Sequence, residues 1–320
     1  TEEAANFFQP VTPGTKSSAP IPGKLPYPWK PRSQILSFEE IVRVIKVAAS
    51  FGVDKIRITG GEPLLRRDVE SLISQIAAID SIRDLSLTTN GTHFPRLAKR
   101  LKEAGLGRVT ISLDSLDRDN FKKITGRNGL AEVLKSIRLA KSLGLTPVKV
   151  NAVIIRGLNE HEIVRLAKFA MDEDIIMRFI EFMPLDSRQA WRRDHVVSGD
   201  EIAGRIQSKY PLTRLPADNP SGTSTRWSLG EGAAEIGIIA PVTQPFCGNC
   251  NRIRLTADGK IRTCLFSHHE HDLKPSLRDG SGTAELAAQL QQIVLKKEPG
   301  HRINEPDFVQ PARTMSLIGG

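Results

Sequence analysis

The chain has 320 residues, 39% hydrophobic and 25% charged, with a formal charge of +9 and three cysteines. This composition can bury one large core plus a smaller one, and no run of about 18 apolar residues exists to span a membrane. An odd thiol count in a long chain with no signal peptide argues against a disulfide-stapled secreted domain. The positive charge suits an anionic partner. Aromatics are only 5% and are not interleaved with the basic residues, so a phosphorylated small molecule is expected rather than nucleic acid.

Residues 1–34 carry Pro10, Pro13, Pro20, Pro22, Pro26, Pro28 and Pro31 without periodicity and read as an extended or disordered lead. The capping box Ser37-Phe-Glu-Glu40 then opens a helix with Ile41, Val44, Ile45, Ala48 and Phe51 along one face. Strand-like runs follow near Lys55–Thr59, Asp84–Thr89, Arg108–Asp114, Val148–Ile154 and Ile176–Phe182. Helical segments lie between them near Arg66–Ala78, Phe94–Ala104, Leu130–Leu143 and Glu160–Met171, which makes Arg66 and Arg67 ordinary first-turn residues. Such alternation predicts a parallel sheet covered by helices, in a doubly wound or a barrel arrangement.

Strands buried on both faces are apolar throughout, but these alternate. Arg57 and Thr59, then Ser86, Thr88 and Asn90, then Thr110, Ser112 and Asp114, then Lys149 and Asn151, and finally Glu181 beside Met183 form a polar face. Ile56, Ile58, Leu85, Leu87, Val109, Ile111, Leu113, Val148 and Val150 suit packing under helices. A partly open βα barrel with a polar lumen fits best, its site at the C-terminal strand ends. Gly60-Gly61-Glu62-Pro63 follows the first strand, so its amides and Glu62 would project over the barrel mouth. Lys149 on an inward face calls for an anion or water.

All three thiols fall in one window, Cys247-Gly-Asn-Cys250 and Cys264, with Arg252 and Arg254 close behind the second. CxxC spacing grips one zinc or iron centre from a single turn, and the arginines add an anion-binding flank. Spacing alone leaves zinc, an iron–sulfur cluster and buried thiols open, and His268, His269 or His271 could close a Cys3His set.

Several runs carry a resemblance. Ile56-Arg-Ile-Thr-Gly-Gly-Glu-Pro-Leu-Leu-Arg-Arg-Asp68, Leu87-Thr-Thr-Asn-Gly91, Thr110-Ile-Ser-Leu-Asp-Ser115, Pro147-Val-Lys-Val-Asn-Ala152 and Arg178-Phe-Ile-Glu-Phe-Met-Pro184 resemble the GTP 3′,8-cyclases of molybdenum cofactor biosynthesis. So do Pro245-Phe-Cys-Gly-Asn-Cys-Asn-Arg-Ile-Arg-Leu-Thr-Ala-Asp-Gly-Lys260 and the terminal Gly319-Gly320. These are radical S-adenosylmethionine (SAM) lyases, and the likeness runs in order from about residue 35 to 320.

The resemblance implies an α/β fold, a partial (β/α) barrel of radical SAM type with a C-terminal α+β domain carrying an Fe–S site. It divides the chain into a lead at 1–34, a barrel at 35–185 and a cluster- and GTP-binding domain at 186–320. Cys247, Cys250 and Cys264 would ligate a [4Fe–4S] cluster with one iron open to the purine. Arg57, Thr88, Lys149, Arg252, Ile253 and Arg254 match GTP contacts. Gly61, Ser112 and Met183 match SAM contacts, and the terminal glycines match a tail that enters the active site. The implied reaction begins with abstraction of the ribose 3′ hydrogen of GTP by a 5′-deoxyadenosyl radical and joins C3′ to C8.

SAM, a second [4Fe–4S] cluster, a reductant and the next enzyme of the molybdopterin pathway follow from the family. The expected location is cytoplasmic, or the mitochondrial matrix in a eukaryote. The family's CxxxCxxC loop has no counterpart in these residues, because no cysteine precedes Cys247. One set of three thiols is expected to hold at most one cluster. The alternatives are a catalytically inactive relative that binds GTP and one cluster, or a zinc-stabilised nucleic-acid binder.

Overall fold

A computed structural model describes residues 30–185, 191–232, 234–311 and 313–318. Most of the proline-rich lead and Gly319-Gly320 lie outside the described residues. Helix α1 (Phe38–Ser50) starts as its cap predicts: Ser37 Oγ accepts from the Glu40 amide and the Glu40 carboxylate accepts from the Ser37 amide. This helix separates two cores. Val42 and Ile45 pack into the barrel core, while Val44, Val47 and Ala48 pack against Leu286, Leu290 and Ile293 from the C-terminal part.

Strands β1 (Lys55–Ile58), β2 (Asp84–Thr89), β3 (Arg108–Ser112), β4 (Lys149–Ile154) and β5 (Ile176–Glu181) pair in parallel and in sequence order. Between them run α2 (Val69–Ala77), α3 (Phe94–Glu103), α4 (Arg118–Thr125), α5 (Leu130–Ser142) and α6 (Ile163–Glu173). Every apolar strand position predicted to face helices joins the main core.

The sheet runs past residue 185. After α7 (Gly199–Gln207) come β6 (Leu212–Arg214), β7 (Thr225–Leu229) and β8 (Ala234–Ile239). β8 pairs with β5 as a sixth parallel strand, and β7 and β6 follow it antiparallel. The order β1-β2-β3-β4-β5-β8-β7-β6 leaves β1 and β6 as free edges, so the barrel is open. A small sheet of β9 (Arg254–Leu255), β10 (Lys260–Arg262) and β11 (His271–Asp272) then leads to α8 (Lys274–Arg278), α9 (Thr283–Leu295) and α10 (Met315–Ile318).

Two expectations are corrected. The segment after β1 is not helical from Arg66: Pro63–Leu65 forms a 3-10 turn capped by the Glu62 side chain, and Asp68 is left-handed at φ 56° just before α2. Arg66 is therefore no first-turn residue. It stacks on Phe38 at 4.4 Å and donates to the Leu36 carbonyl at 2.6 Å. On β5 the polar lumen residue is Arg178. Glu181, three positions on, points to the other face, because side chains alternate along a strand.

Candidate active site

The lumen face and the C-terminal loops enclose one open cavity of about 2700 Å³. Arg57 on β1, Arg108 on β3, Lys149 on β4 and Arg178 on β5 all line it. The register explains the grouping: Arg57 and Arg108 both flank Ser86, Lys149 sits beside Thr110, and Arg178 lies between Asn151 and Gly237. Gly237 packs closely there: a Cβ would stand 3.3 Å from Arg178 Cγ and 3.1 Å from Ser224 Cβ, so either side chain would have to shift. Arg252, Ile253 and Arg254 close the cavity from the C-terminal side.

These cations repel one another. Burial, then Arg57 and Arg108, pull the Arg178 guanidinium down to about 9. Burial, then Arg178, Arg108 and Arg57, pull the Lys149 ammonium down to about 8, with Glu235 opposing. Burial, then Arg252, bring Arg254 to about 10, with Cys264 and Cys250 opposing. Arg57 is lowered by burial and then Arg108, with Arg252 also in reach; although the lumen exposes it, the barrel wall encloses it.

Countercharge is sparse. Arg108 holds Asp84 through Nε at 2.8 Å and Nη2 at 2.6 Å, while its Nη1 is buried with no partner. Among the described residues Arg178 donates to the neutral Asn151 and Thr110 side chains, at 2.8 and 3.3 Å. Neither Arg57 nor Lys149 forms an ion pair among the described residues. Such a cluster is built for a polyanion.

The other predicted residues divide. Gly61 and Ser112 line the cavity, whereas Thr88 and Met183 do not. Thr88 Oγ1 is nevertheless buried without a partner, and Met183 packs against the cluster of Leu185, Val242 and Ile318. Glu62 lines the mouth, but its carboxylate accepts from Thr89 Oγ1 at 2.8 Å and the amides of Asn90 and Leu64 at 2.8 and 3.1 Å. It ties the first strand loop to the second instead of presenting a free carboxylate.

Sequence reasoning missed Arg108 and Arg178 as site residues; the polar alternation of the β3 run, which Arg108 shares with Thr110 and Ser112, was a usable signal for Arg108 alone. It also left unread the consequence of Asp114, a cavity residue whose carboxyl burial raises to about 6 despite an amide bond from Val153. Near the C-terminus Arg313 is held by Asp258 at 2.9 Å and Glu270 at 2.8 Å, and Ser316, Leu317 and Ile318 reach the cavity.

Cys247, Cys250 and Cys264 are free, half-buried thiols that do not line the cavity. Arg252 stacks on Phe246 at 5.3 Å and donates to Cys250 Sγ through Nη2 at 3.1 Å. Burial raises the Cys250 thiol, but the Arg252 amide and guanidinium outweigh it and the net shift is down; burial raises Cys264. Among the described residues no group of three or more His, Cys, Asp or Glu is preformed to hold a metal. His268 instead meets the Val309 carbonyl at 3.0 Å. The donor set still suits iron and sulfide: three free thiols, one already taking a charge-assisted bond, with arginines alongside.

The open parallel sheet and its lumen have the architecture of the radical SAM fold. Residues 15–170 match the Radical SAM superfamily model, and 175–303 match Molybdenum Cofactor Synthesis C. The SAM-bound structure of SuiB from Streptococcus suis shares the fold, with a TM-score of 0.59 over 87% of this chain and 69% of that one at 13% identity. Among curated relatives, a Corynebacterium glutamicum GTP 3′,8-cyclase is 43% identical across 91% of this chain and 80% of its own length. The Moorella thermoacetica protein of that name is 45% identical across 92% and 90%. The chain belongs to the GTP 3′,8-cyclase family, and membership of the radical SAM superfamily implies a [4Fe–4S] cluster and SAM. No helix among the described residues is long and apolar enough to cross a membrane.

Proposed function

We propose that this chain is a GTP 3′,8-cyclase acting at the first step of molybdenum cofactor synthesis, with GTP seated in the lumen. The observation that carries this is the cluster of Arg57, Arg108, Lys149 and Arg178, joined by Arg252 and Arg254: among the described residues neither Arg57 nor Lys149 has an ion pair, and Arg178 has neutral acceptors. A triphosphate supplies the missing charge. Its nearest guanidinium and ammonium partners would each contribute about 1.5–3 kcal/mol. Thr88 offers an unpartnered hydroxyl behind them, and Ile253 an apolar flank between the two C-terminal arginines.

SAM is assigned to the strand ends beside Gly61 and Ser112, with Met183 packed behind. SAM and the family's second cluster would supply the radical chemistry, but residues 1–246 contain no thiol to ligate that cluster. The protein's own groups position GTP and exclude water. Cys247, Cys250 and Cys264 hold the C-terminal [4Fe–4S] cluster. A reductant and a following enzyme of the same pathway are the proposed partners, and with bacterial relatives the proposed location is cytoplasmic.

The test is calorimetric titration of GTP into anaerobically prepared protein. Arg254→Ala weakens binding by roughly 10- to 150-fold, and unchanged affinity removes Arg254 from the site. The presence of only three cysteines, all at 247–264, favours a second reading: GTP and one cluster bound without turnover. Production of 5′-deoxyadenosine from SAM, GTP and dithionite by these 320 residues excludes it.

A further inference from the structure

The stretch following α9 reaches every arm of the thiol window. Lys297 Nζ donates to the Arg252 carbonyl at 2.9 Å, two residues past Cys250. The same ammonium donates to the carbonyl of Thr263, the residue before Cys264. Glu298 accepts from the Thr263 hydroxyl at 2.6 Å. Gly300 presses on the remaining thiol: a Cβ there would stand 3.1 Å from Cys247 Cβ and 3.6 Å from its Sγ. Gly300 is not left-handed, so the constraint on a larger residue here is the tight approach to Cys247.

A lysine at a helix end ordinarily caps that helix's own carbonyls. Lys297 does not: its two acceptors lie 45 and 34 residues away in the chain. Both sit near the ends of the β9–β10 hairpin, where Arg254 faces Arg262. The hairpin brings together the segments that carry Cys250 and Cys264, and Lys297 ties the two emerging strands to each other. Gly300 lets Cys247 close against the same segment.

We propose that Lys297, Glu298 and Gly300 form a clasp that sets the spacing of Cys247, Cys250 and Cys264. They are positioning residues for the C-terminal cluster, and the inference rests on the cluster reading above. Partners that orient metal ligands typically change metal affinity by about 10–100-fold when removed.

The experiment reconstitutes the full chain anaerobically with iron and sulfide, then strips it with increasing chelator. Lys297→Met should lose half its iron at about 10–100-fold less chelator than the parent chain. Lys297→Arg keeps two donors and should stay close to the parent. In the iron-free protein, alkylation of Cys250 and Cys264 should be faster in Lys297→Met. Iron retention and alkylation rates equal to the parent's overturn the clasp. If the parent chain itself takes up no iron, the cluster reading fails, and the alkylation rates alone decide the clasp. If Lys297→Met does not fold, Gly300→Ala decides: full iron retention there overturns the proposal.

Discussion

Arg178 and Glu181 lie three residues apart on β5, and both are almost sealed from bulk solvent, at 6% and 0% exposure. Their surroundings are opposite. On the helix side, the Glu181 carboxylate accepts from the Gly199 amide at 2.8 Å, the Val242 amide at 2.8 Å, the Thr243 amide at 3.0 Å and the Thr243 hydroxyl. It thereby pins the start of α7 and the turn leading to the thiol window. On the lumen side, Arg178 finds two neutral acceptors and a ring of further cations. Glu162 repeats the first pattern, accepting from Ser115, Leu116, Asp117 and Asn120. Buried charge that the protein satisfies itself holds the fold. Buried charge left without a counter-ion marks where a ligand supplies it.

Breaking the satisfied member should cost most. Glu181→Ala leaves the Gly199, Val242 and Thr243 donors without an acceptor, and unfolding in urea should show a loss of about 3–5 kcal/mol. A loss below about 1 kcal/mol would mean water replaces the carboxylate, and the contrast would collapse. Arg178→Met is the converse. Removing one of several repelling buried cations should leave stability unchanged or higher. GTP affinity should fall by roughly 10- to 150-fold, equivalent to about 1.5–3 kcal/mol. If Arg178→Met instead unfolds the protein as Glu181→Ala does, both residues are structural and the lumen loses its strongest argument.

Much of this was legible beforehand. Alternation in β1 to β4 named the lumen residues Arg57 and Lys149, and the Ser37–Glu40 box named the start of α1. On β5 alternation failed because Met177, Phe179 and Ile180 are apolar on both faces, so period two could not say whether Arg178 or Glu181 looked inward. β8 stayed hidden because more than fifty residues separate it from β5, and pairing at that distance leaves no local signal. α4 was missed for a different reason: it buries only Phe121, too little for a helical stripe. The partners of Lys297 and Gly300 are equally remote in sequence, so their placement against the thiols could come only from the fold.

The finest test of the contrast is a single proton. Lys149 titrates at about 8 in the ligand-free fold, against roughly 10.4 when unfolded. Because the folded value is depressed, the unfolded chain binds more protons between those limits. The Lys149 contribution therefore penalises folding below pH 8, and stability rises as pH climbs from about 8 towards 10.4. A triphosphate in the lumen offsets the repulsion from Arg178, Arg108 and Arg57 and draws the Lys149 value back up. GTP binding near pH 8 should then take up a fraction of a proton, and affinity should decline above that pH by no more than about tenfold per unit. Calorimetry in two buffers of different ionisation enthalpy reads the uptake directly, and Lys149→Met should abolish it while weakening binding at pH 7. If the variant takes up as many protons as the parent chain, the titrating group is another one, and Lys149 does not face the phosphates.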